Sequence, residues 1–240
     1  MLSTKIICTI GPASESPKNL AELAEAGMNV ARLNFSHGTH KSHKKIIEQI
    51  RNLNKDRQYP IAIMLDTQGP EIRTGDKEIT LISGKRVCVT VPPNEESEGT
   101  LFVNYVDLKD DMKEGSCISL DGGLMSLKVC GKNKKGIECE VIDGGVVKAH
   151  RHVNLPGAIV KLPGITETDK QDILFGIEQK VDVIALSFVR SSETIREVRA
   201  SLGVHAKNIK LIAKIENQEG VERLEEIVQE SDGIMVARGD

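Results

Sequence analysis

The stretch Ile212-Ala213-Lys214-Ile215-Glu216-Asn217 is an apolar run that turns ionisable at its carboxyl end, and Ile234-Met235-Val236-Ala237-Arg238-Gly239-Asp240 repeats the pattern. Each reads as a buried strand whose last residues leave the core. Side chains two apart share a strand face, so Lys214 and Glu216 point the same way. Adjacent strands lie about 4.8 Å apart, which lets Glu216 and Asp240 meet one divalent cation. Lys214 would stand beside it, facing developing negative charge. The alternative is a Lys214–Glu216 ion pair that fills the interior.

Outward from these strands the same βα alternation recurs. Residues 5–10 form a β-rich run closed by Gly11-Pro12. Ser16, Pro17 and Gly27 have the residue types of an N-cap, a first helical position and a C-terminal stop. Strands are expected at 29–35 and 61–66, separated by a helix over 40–54 with Ile46, Ile47, Ile50 and Leu53 on one stripe. The alternation resumes after Pro163-Gly164. Thr166-Glu167-Thr168-Asp169 resembles a capping box, and strands follow at 183–188, 209–216 and 234–237. A helix bearing Ile195, Val198 and Leu202 closes at Gly203, and another, capped by Asn217, carries Val221, Leu224, Ile227 and Val228.

Between them the character changes. Short β-favouring runs are separated by Ser83-Gly84, Pro92-Pro93-Asn94, Asp121-Gly122-Gly123, Gly131-Lys132-Asn133 and Asp143-Gly144-Gly145, without a helical stripe. The expected domains are therefore 1–74, the first part of an α/β domain; 75–162, an inserted small β-barrel; and 163–240, the continuation. Near-continuous apolar strands indicate a parallel sheet covered on both faces, either doubly wound or a (β/α)₈ barrel. Polar residues at many strand ends favour the barrel. Six of eight units are then present, and the architecture is expected to continue beyond Asp240, because an opened barrel leaves unpaired edges.

Composition narrows the function. A formal charge of −3 and 2% aromatic residues argue against a nucleic-acid partner. The apolar runs fall short of the roughly 20 residues that span a bilayer. Five cysteines without CxxC spacing read as reduced thiols, and Met1-Leu2-Ser3-Thr4 leads straight into a strand without a signal peptide, so a cytoplasmic protein is expected. No GxxxxGK[ST] is present. His150 and His152, read as sharing a strand face, and His40 and His43, sharing a helix face, are expected as surface histidines, and Lys132, Lys134 and Lys135 as a solvated hairpin tip.

Two further clusters carry chemistry. Arg32, Asn34 and Ser36 line one face of the second strand, suiting a phosphate through the planar guanidinium fork or, alternatively, an interior salt bridge and helix caps. Asp66 emerges from an apolar run. With Asn34 and Ser36 it forms an all-oxygen set for a hard cation, or it is a loop acid paired with Arg73.

These segments resemble one family. Ile6–Ser14, Met28–Gly38, Asp66–Gly75, Asn154-Leu155-Pro156-Gly157, Ser187-Phe188-Val189-Arg190, Lys214-Ile215-Glu216-Asn217 and Asp232–Asp240 are similar, in order, to pyruvate kinases. The resemblance implies a (β/α)₈ TIM barrel with a β-barrel lid domain after its third strand, and a C-terminal regulatory domain. It implies phosphoryl transfer from phosphoenolpyruvate to ADP, giving pyruvate and ATP in glycolysis, by a cytoplasmic enzyme whose full-length parent is a homotetramer.

By the same resemblance Arg32 grips the substrate phosphate, Lys214 stabilises the phosphoryl group in flight, and Arg73 faces it. Glu216 and Asp240 hold Mg²⁺ (or Mn²⁺), with Ala237, Arg238, Gly239 and Asp240 beside the substrate. Asn34, Ser36, Asp66 and the Thr67 carbonyl hold K⁺, Glu71 accompanies K⁺ dependence, and Pro12, Asn34, His37 and Arg73 lie toward the nucleotide. Gln68 replaces a lysine usual in the family, and Thr168 replaces one found in some members. The family's threonine linked to enolate protonation is not in these residues. Two rivals remain open: another Mg²⁺-dependent barrel enzyme acting on phosphoenolpyruvate or pyruvate enolates, and a fragment that binds metal and phosphate without turnover.

Overall fold

Short apolar strands that alternate with amphipathic helices set the architecture. In the computed structural model, which describes residues 4–94, 98–158 and 160–237, the chain packs as two units. One comprises Met1–Pro70, Gly164–Glu216 and Gly220–Val236; the other comprises Glu71–Pro163, Asn217–Glu219 and Ala237–Asp240.

The first unit opens with β1 (Ile6–Thr9), α1 (Pro17–Glu25), β2 (Met28–Asn34), α2 (His40–Asn54) and β3 (Ala62–Asp66). The second contains β4 (Ile79–Leu81), β5 (Arg86–Thr90), β6 (Thr100–Phe102), α3 (Leu108–Asp111), β7 (Cys117–Leu120), β8 (Met125–Lys132), β9 (Gly136–Asp143), β10 (Gly145–Val147) and β11 (Val153–Asn154). The chain then continues through α4 (Glu167–Glu178), β12 (Val183–Leu186), α5 (Ser192–Leu202), a 3₁₀ turn at Gly203–Lys207, β13 (Lys210–Ile215), α6 (Gln218–Glu222), α7 (Leu224–Glu230) and β14 (Gly233–Val236).

The sheet of the first unit runs β1-β2-β3-β12-β13-β14, and every neighbouring pair is parallel. Spatial order follows chain order without the reversal that defines a doubly wound sheet. This is the winding of a (β/α)₈ barrel, and the described strands form part of one. Ala31 and Leu33 of β2, Ile63 and Leu65 of β3, Ile184 and Leu186 of β12, and Leu211 and Ala213 of β13 face one aliphatic core with the helices. Burying each leucine or isoleucine of this set contributes about 1.5–3 kcal/mol. The intervening residues, Arg32, Asn34, Asp66 and Lys214 among them, consequently face the other side of the sheet.

The helix starts read at Ser16 and at Thr166 are present. Ser16 accepts from the Asn19 amide with Pro17 at the first helical position, and Thr39 and Thr166 close reciprocal capping boxes. Gly176 lets α4 approach β3, since a Cβ there would lie 2.9 Å from Leu65 Cδ1.

The second unit is a six-stranded sheet ordered β11-β7-β8-β9-β5-β6 with a two-stranded β4–β10 ribbon, around its own aliphatic core. The tip between β8 and β9 is tied by Asn133 Oδ1, which accepts from the Lys135 and Gly136 amides at 2.8 and 2.9 Å, leaving Lys132, Lys134 and Lys135 exposed. One short helix, α3, interrupts a segment expected to have none. The five cysteines are free thiols, and burial pushes Cys139 up to about 12. No helix among the described residues is long and apolar enough to cross a membrane.

Three expectations need correction. The helix after Asn217 is two short helices, because Arg223 (φ −104°, ψ 17°) departs from helical geometry, its guanidinium tied to Glu226 and Glu193. Of its apolar stripe only Ile227 is buried. His150 lies in a turn with φ +57°, near Asp76, rather than on a strand shared with His152.

The third correction is His43, which is 6% exposed rather than superficial. Its ring stacks on Phe35 with centroids 4.1 Å apart, and His40, bonded to Asp172 Oδ1 at 2.6 Å, stacks on Phe175. The amphipathic spacing had shown α2's aliphatic stripe but not these tertiary ring contacts. His43 Nε2 lies 2.8 Å from the His37 carbonyl, which can only accept, so this nitrogen carries the proton. The buried Nδ1 has no hydrogen-bond partner, and burial holds the imidazole below its ordinary 6.5. The unfolded chain therefore binds the extra proton more readily, and stability is lost as pH falls from about 6.5 toward the lowered folded value. Melting temperatures at pH 7.5 and 5.5 test this: His43→Gln should fall less than wild type, and equal slopes would refute it.

Candidate functional site

The ends of β2, β3, β12 and β13 bring one charged cluster together. Register places Thr9 beside Arg32, Asn34 beside Asp66, and Asp66 beside Ala185, with Ala185 beside Ile212. Two residues beyond Ala185 and Ile212, on the same face, come Ser187 and Lys214.

Asp66, 1% exposed, is the hub. Its Oδ2 accepts from Arg32 Nε at 2.7 Å and faces Arg32 Nη2 at 2.5 Å, while Arg32 Nη1 donates to Thr9 Oγ1 at 2.9 Å. Its Oδ1 lies 3.1 Å from Lys214 Nζ. Lys214 is buried at 7% exposure. It also meets Glu216 Oε1 at 3.1 Å and donates to Ser187 Oγ at 2.7 Å. Glu216 Oε2 accepts from the Phe188 amide at 2.8 Å. The interior Lys214–Glu216 ion pair weighed from the sequence is therefore present, widened by Asp66 into a triad. With Arg32 on Asp66, two cations balance the two carboxylates, and removing one member would be costly.

Around the cluster the loops are pinned. Thr67 donates its amide to the Ala185 carbonyl at 3.0 Å, and its own carbonyl accepts from Ser187 Oγ at 2.6 Å. Asp169, buried in the capping box of α4, accepts from the Gly69 amide at 2.9 Å. Gly69 has φ +76°, and a Cβ would sit 2.8 Å from Ser187 Cβ and 2.9 Å from its carbonyl oxygen. Gly69→Ala should therefore destabilise by roughly 1–3 kcal/mol from backbone strain alone, and more from the clash. Urea denaturation checks this, and a midpoint equal to wild type would refute it.

Asn34 Oδ1 accepts from the Ser36 amide at 3.0 Å, which turns the chain out of β2 toward the exposed His37. Pro12 is exposed in the turn after β1, where the Ser14 amide donates to the Gly11 carbonyl at 2.8 Å. Arg73 belongs to the second unit. Its guanidinium is held by the Glu71 carboxylate and by the His150 carbonyl, so Asp66 is not its partner. Gln68 is half-buried and Thr168 is exposed.

The donor set can be tested for metals. No group of three or more His, Cys, Asp or Glu side chains placed to hold a metal occurs among the described residues. Glu216 is one carboxylate, which suits Mg²⁺, an ion that takes one or two and fills its octahedron with water and phosphate oxygens. Asn34, Ser36, Asp66 and Thr67 offer only oxygen donors, which fits a hard cation, and a carbonyl such as that of Thr67 has a second lone pair beyond its bond to Ser187.

Compared with known proteins, all of residues 1–240 match the family model described as pyruvate kinase, barrel domain. The chain belongs to the pyruvate kinase family. It is 48% identical to a pyruvate kinase of Sporosarcina psychrophila and 49% identical to one of Staphylococcus aureus (strain MRSA252), covering 100% of this chain and 42% of each relative. It is 50% identical to a pyruvate kinase of Geobacillus stearothermophilus over 99% of this chain and 41% of that relative. The chain thus spans about two-fifths of the length of the curated pyruvate kinases it matches.

Of the residues that the pyruvate kinase resemblance singled out, the structure brings Arg32, Asn34, Ser36, Asp66, Thr67, Lys214 and Glu216 to one end of the barrel sheet. Ala237 follows β14, and Arg238, Gly239 and Asp240 lie outside the described residues. Two participants, Thr9 and Ser187, had been given no role. Ser187 directly follows the apolar run 183–186, the position where Asp66 and Lys214 had already marked the ends of their strands, and that was the available signal.

Proposed function

We propose that this chain carries phosphoryl-transfer machinery of a pyruvate kinase, moving the phosphoryl group of phosphoenolpyruvate to ADP to give pyruvate and ATP. The observation that carries the reading is the Lys214 ammonium, buried between Asp66 and Glu216 on the strand face that also presents the Arg32 fork. Transfer of a phosphoryl group demands little covalent help from the protein; it demands alignment and positive charge at the travelling phosphate.

Arg32 is held by Asp66 and Thr9 through three N–H bonds, and a guanidinium has five, so donors remain for phosphate oxygens. Lys214, anchored on three sides, supplies a fixed positive charge where the phosphorus passes from the enolate oxygen to the ADP oxygen. The P–O bond of phosphoenolpyruvate breaks, one to ADP forms, and the enolate then takes a proton at its methylene carbon. Arg73 is assigned as a further cation on the phosphate, and Pro12, Asn34 and His37 as nucleotide contacts.

Glu216, with Asp240, would hold Mg²⁺ or Mn²⁺, and Asn34, Ser36, Asp66 and Thr67 would hold K⁺. Bound there, these ions would neutralise charge on the substrate oxygens. The reading also entails a cytoplasmic, glycolytic enzyme, an inserted domain over about residues 75–162, and a homotetrameric full-length parent.

Pyruvate formation from phosphoenolpyruvate and ADP with Mg²⁺, measured with and without K⁺, tests it. K⁺-stimulated turnover is expected. Mg²⁺-dependent binding of phosphoenolpyruvate without turnover would instead favour a binding module.

A further inference from the structure

The residue that joins the two halves of the cluster is Ser187, at 4% exposure. Its hydroxyl oxygen lies 2.7 Å from Lys214 Nζ, 2.6 Å from the Thr67 carbonyl oxygen and 3.5 Å from Asp66 Oδ1. The directions of these bonds are fixed by chemistry. A lysine ammonium can only donate and a carbonyl can only accept, so Lys214 donates to Ser187 and the single hydroxyl hydrogen goes to Thr67. The Ser187 amide adds a bond to Thr67 Oγ1 at 3.2 Å, and Gly69 packs against the serine without room for a Cβ. Serine 187 therefore has little freedom to reorient.

We propose that Ser187 is a positioning residue that couples the oxygen donors at Asp66 and Thr67 to the ammonium of Lys214. The ring of contacts Lys214–Asp66, Asp66–Thr67 along the backbone, Thr67–Ser187 and Ser187–Lys214 closes on itself. A monovalent cation drawn to the Thr67 carbonyl acts on the same oxygen that orients the Ser187 hydroxyl, and through it on Lys214. Occupancy of the cation corner and the position of Lys214 are thereby linked, and linkage is reciprocal. The inference rests on the proposed pyruvate kinase reading of these residues.

The test uses Tl⁺ as a K⁺ surrogate, its affinity read by ²⁰⁵Tl NMR independently of turnover. Ser187→Ala should weaken Tl⁺ binding about tenfold. Lys214→Met should change Tl⁺ affinity in the wild-type background but by a much smaller factor beside Ser187→Ala. In turnover, Ser187→Ala should lower kcat about 10–100-fold while KM for phosphoenolpyruvate stays within about threefold, because Arg32 is untouched. Ser187→Cys, near-isosteric with a weak donor, should give an intermediate Tl⁺ affinity and serves if the alanine variant does not fold.

A purely structural serine would lower the melting temperature and leave Tl⁺ affinity within twofold in either variant, overturning the proposal. Wild-type protein that binds no Tl⁺ overturns the cation-corner reading and this coupling together. Wild-type binding that both variants retain overturns the coupling alone.

Discussion

Lys214→Met is expected to suppress phosphoryl transfer and to weaken the fold at once. Loss of a fixed cation at a travelling phosphoryl group lowers kcat by about 10³–10⁵-fold. The same substitution leaves Asp66 and Glu216 buried without their shared ammonium. Removing one member of a buried charge cluster costs about 3–5 kcal/mol. The loss should fall toward the lower end, because Arg32 still meets Asp66 Oδ2 and the Phe188 amide still meets Glu216. Urea denaturation and single-turnover kinetics on the same preparation separate the two effects. An ion pair with only a structural role predicts the stability loss while folded protein keeps its turnover, and that outcome would remove Lys214 from the chemistry.

The second large effect is expected at Arg32. Its fork spans Asp66 and Thr9, and these contacts aim the guanidinium along the strand face that carries Lys214. Arg32→Ala should reduce kcat/KM for phosphoenolpyruvate about 100–1,000-fold, from the lost bidentate phosphate contact and the loss of one of Asp66's two cations. Arg32→Lys keeps the charge but not the planar fork, so it should recover no more than about tenfold of the loss. Initial rates over a range of phosphoenolpyruvate concentrations decide this. Full recovery by lysine would mean that Arg32 acts through charge alone.

How much of this was legible in the sequence differs by residue. Arg32, Asp66, Lys214 and Glu216 stood out because an ionisable side chain at the end of an apolar strand must find a partner or a ligand, and period-two alternation assigns it a face. Alternation does not say which strands are neighbours, so Asp66 could be paired on paper with Arg73. The parallel register makes Arg32 and Lys214 its partners, and Arg73 turns to Glu71. The chain-ordered parallel sheet separates a barrel from a doubly wound sheet, in line with the barrel that the polar strand ends had favoured.

Ser187 and Thr9 lay in quoted segments but were given no role, because a hydroxyl is common and uncharged and its importance comes only from what the fold sets beside it. His43 was misplaced for a similar reason. Its place on α2 was plain, yet the stack on Phe35 and the bond to the His37 carbonyl form only when β2 and α2 have packed. The chain divides near Arg223, whose guanidinium meets Glu226 and, on another helix, Glu193, contacts that a local pattern does not encode.

The most direct test of the account follows phosphorus itself. ³¹P NMR of phosphoenolpyruvate and ADP with Mg²⁺ and K⁺, run in parallel on wild type and Lys214→Met, reports where the phosphoryl group goes. The account predicts loss of the phosphoenolpyruvate resonance with matching growth of ATP for wild type, and a static spectrum over the same period for the variant. Equal transfer by both proteins, or growth of inorganic phosphate in place of ATP, would contradict it.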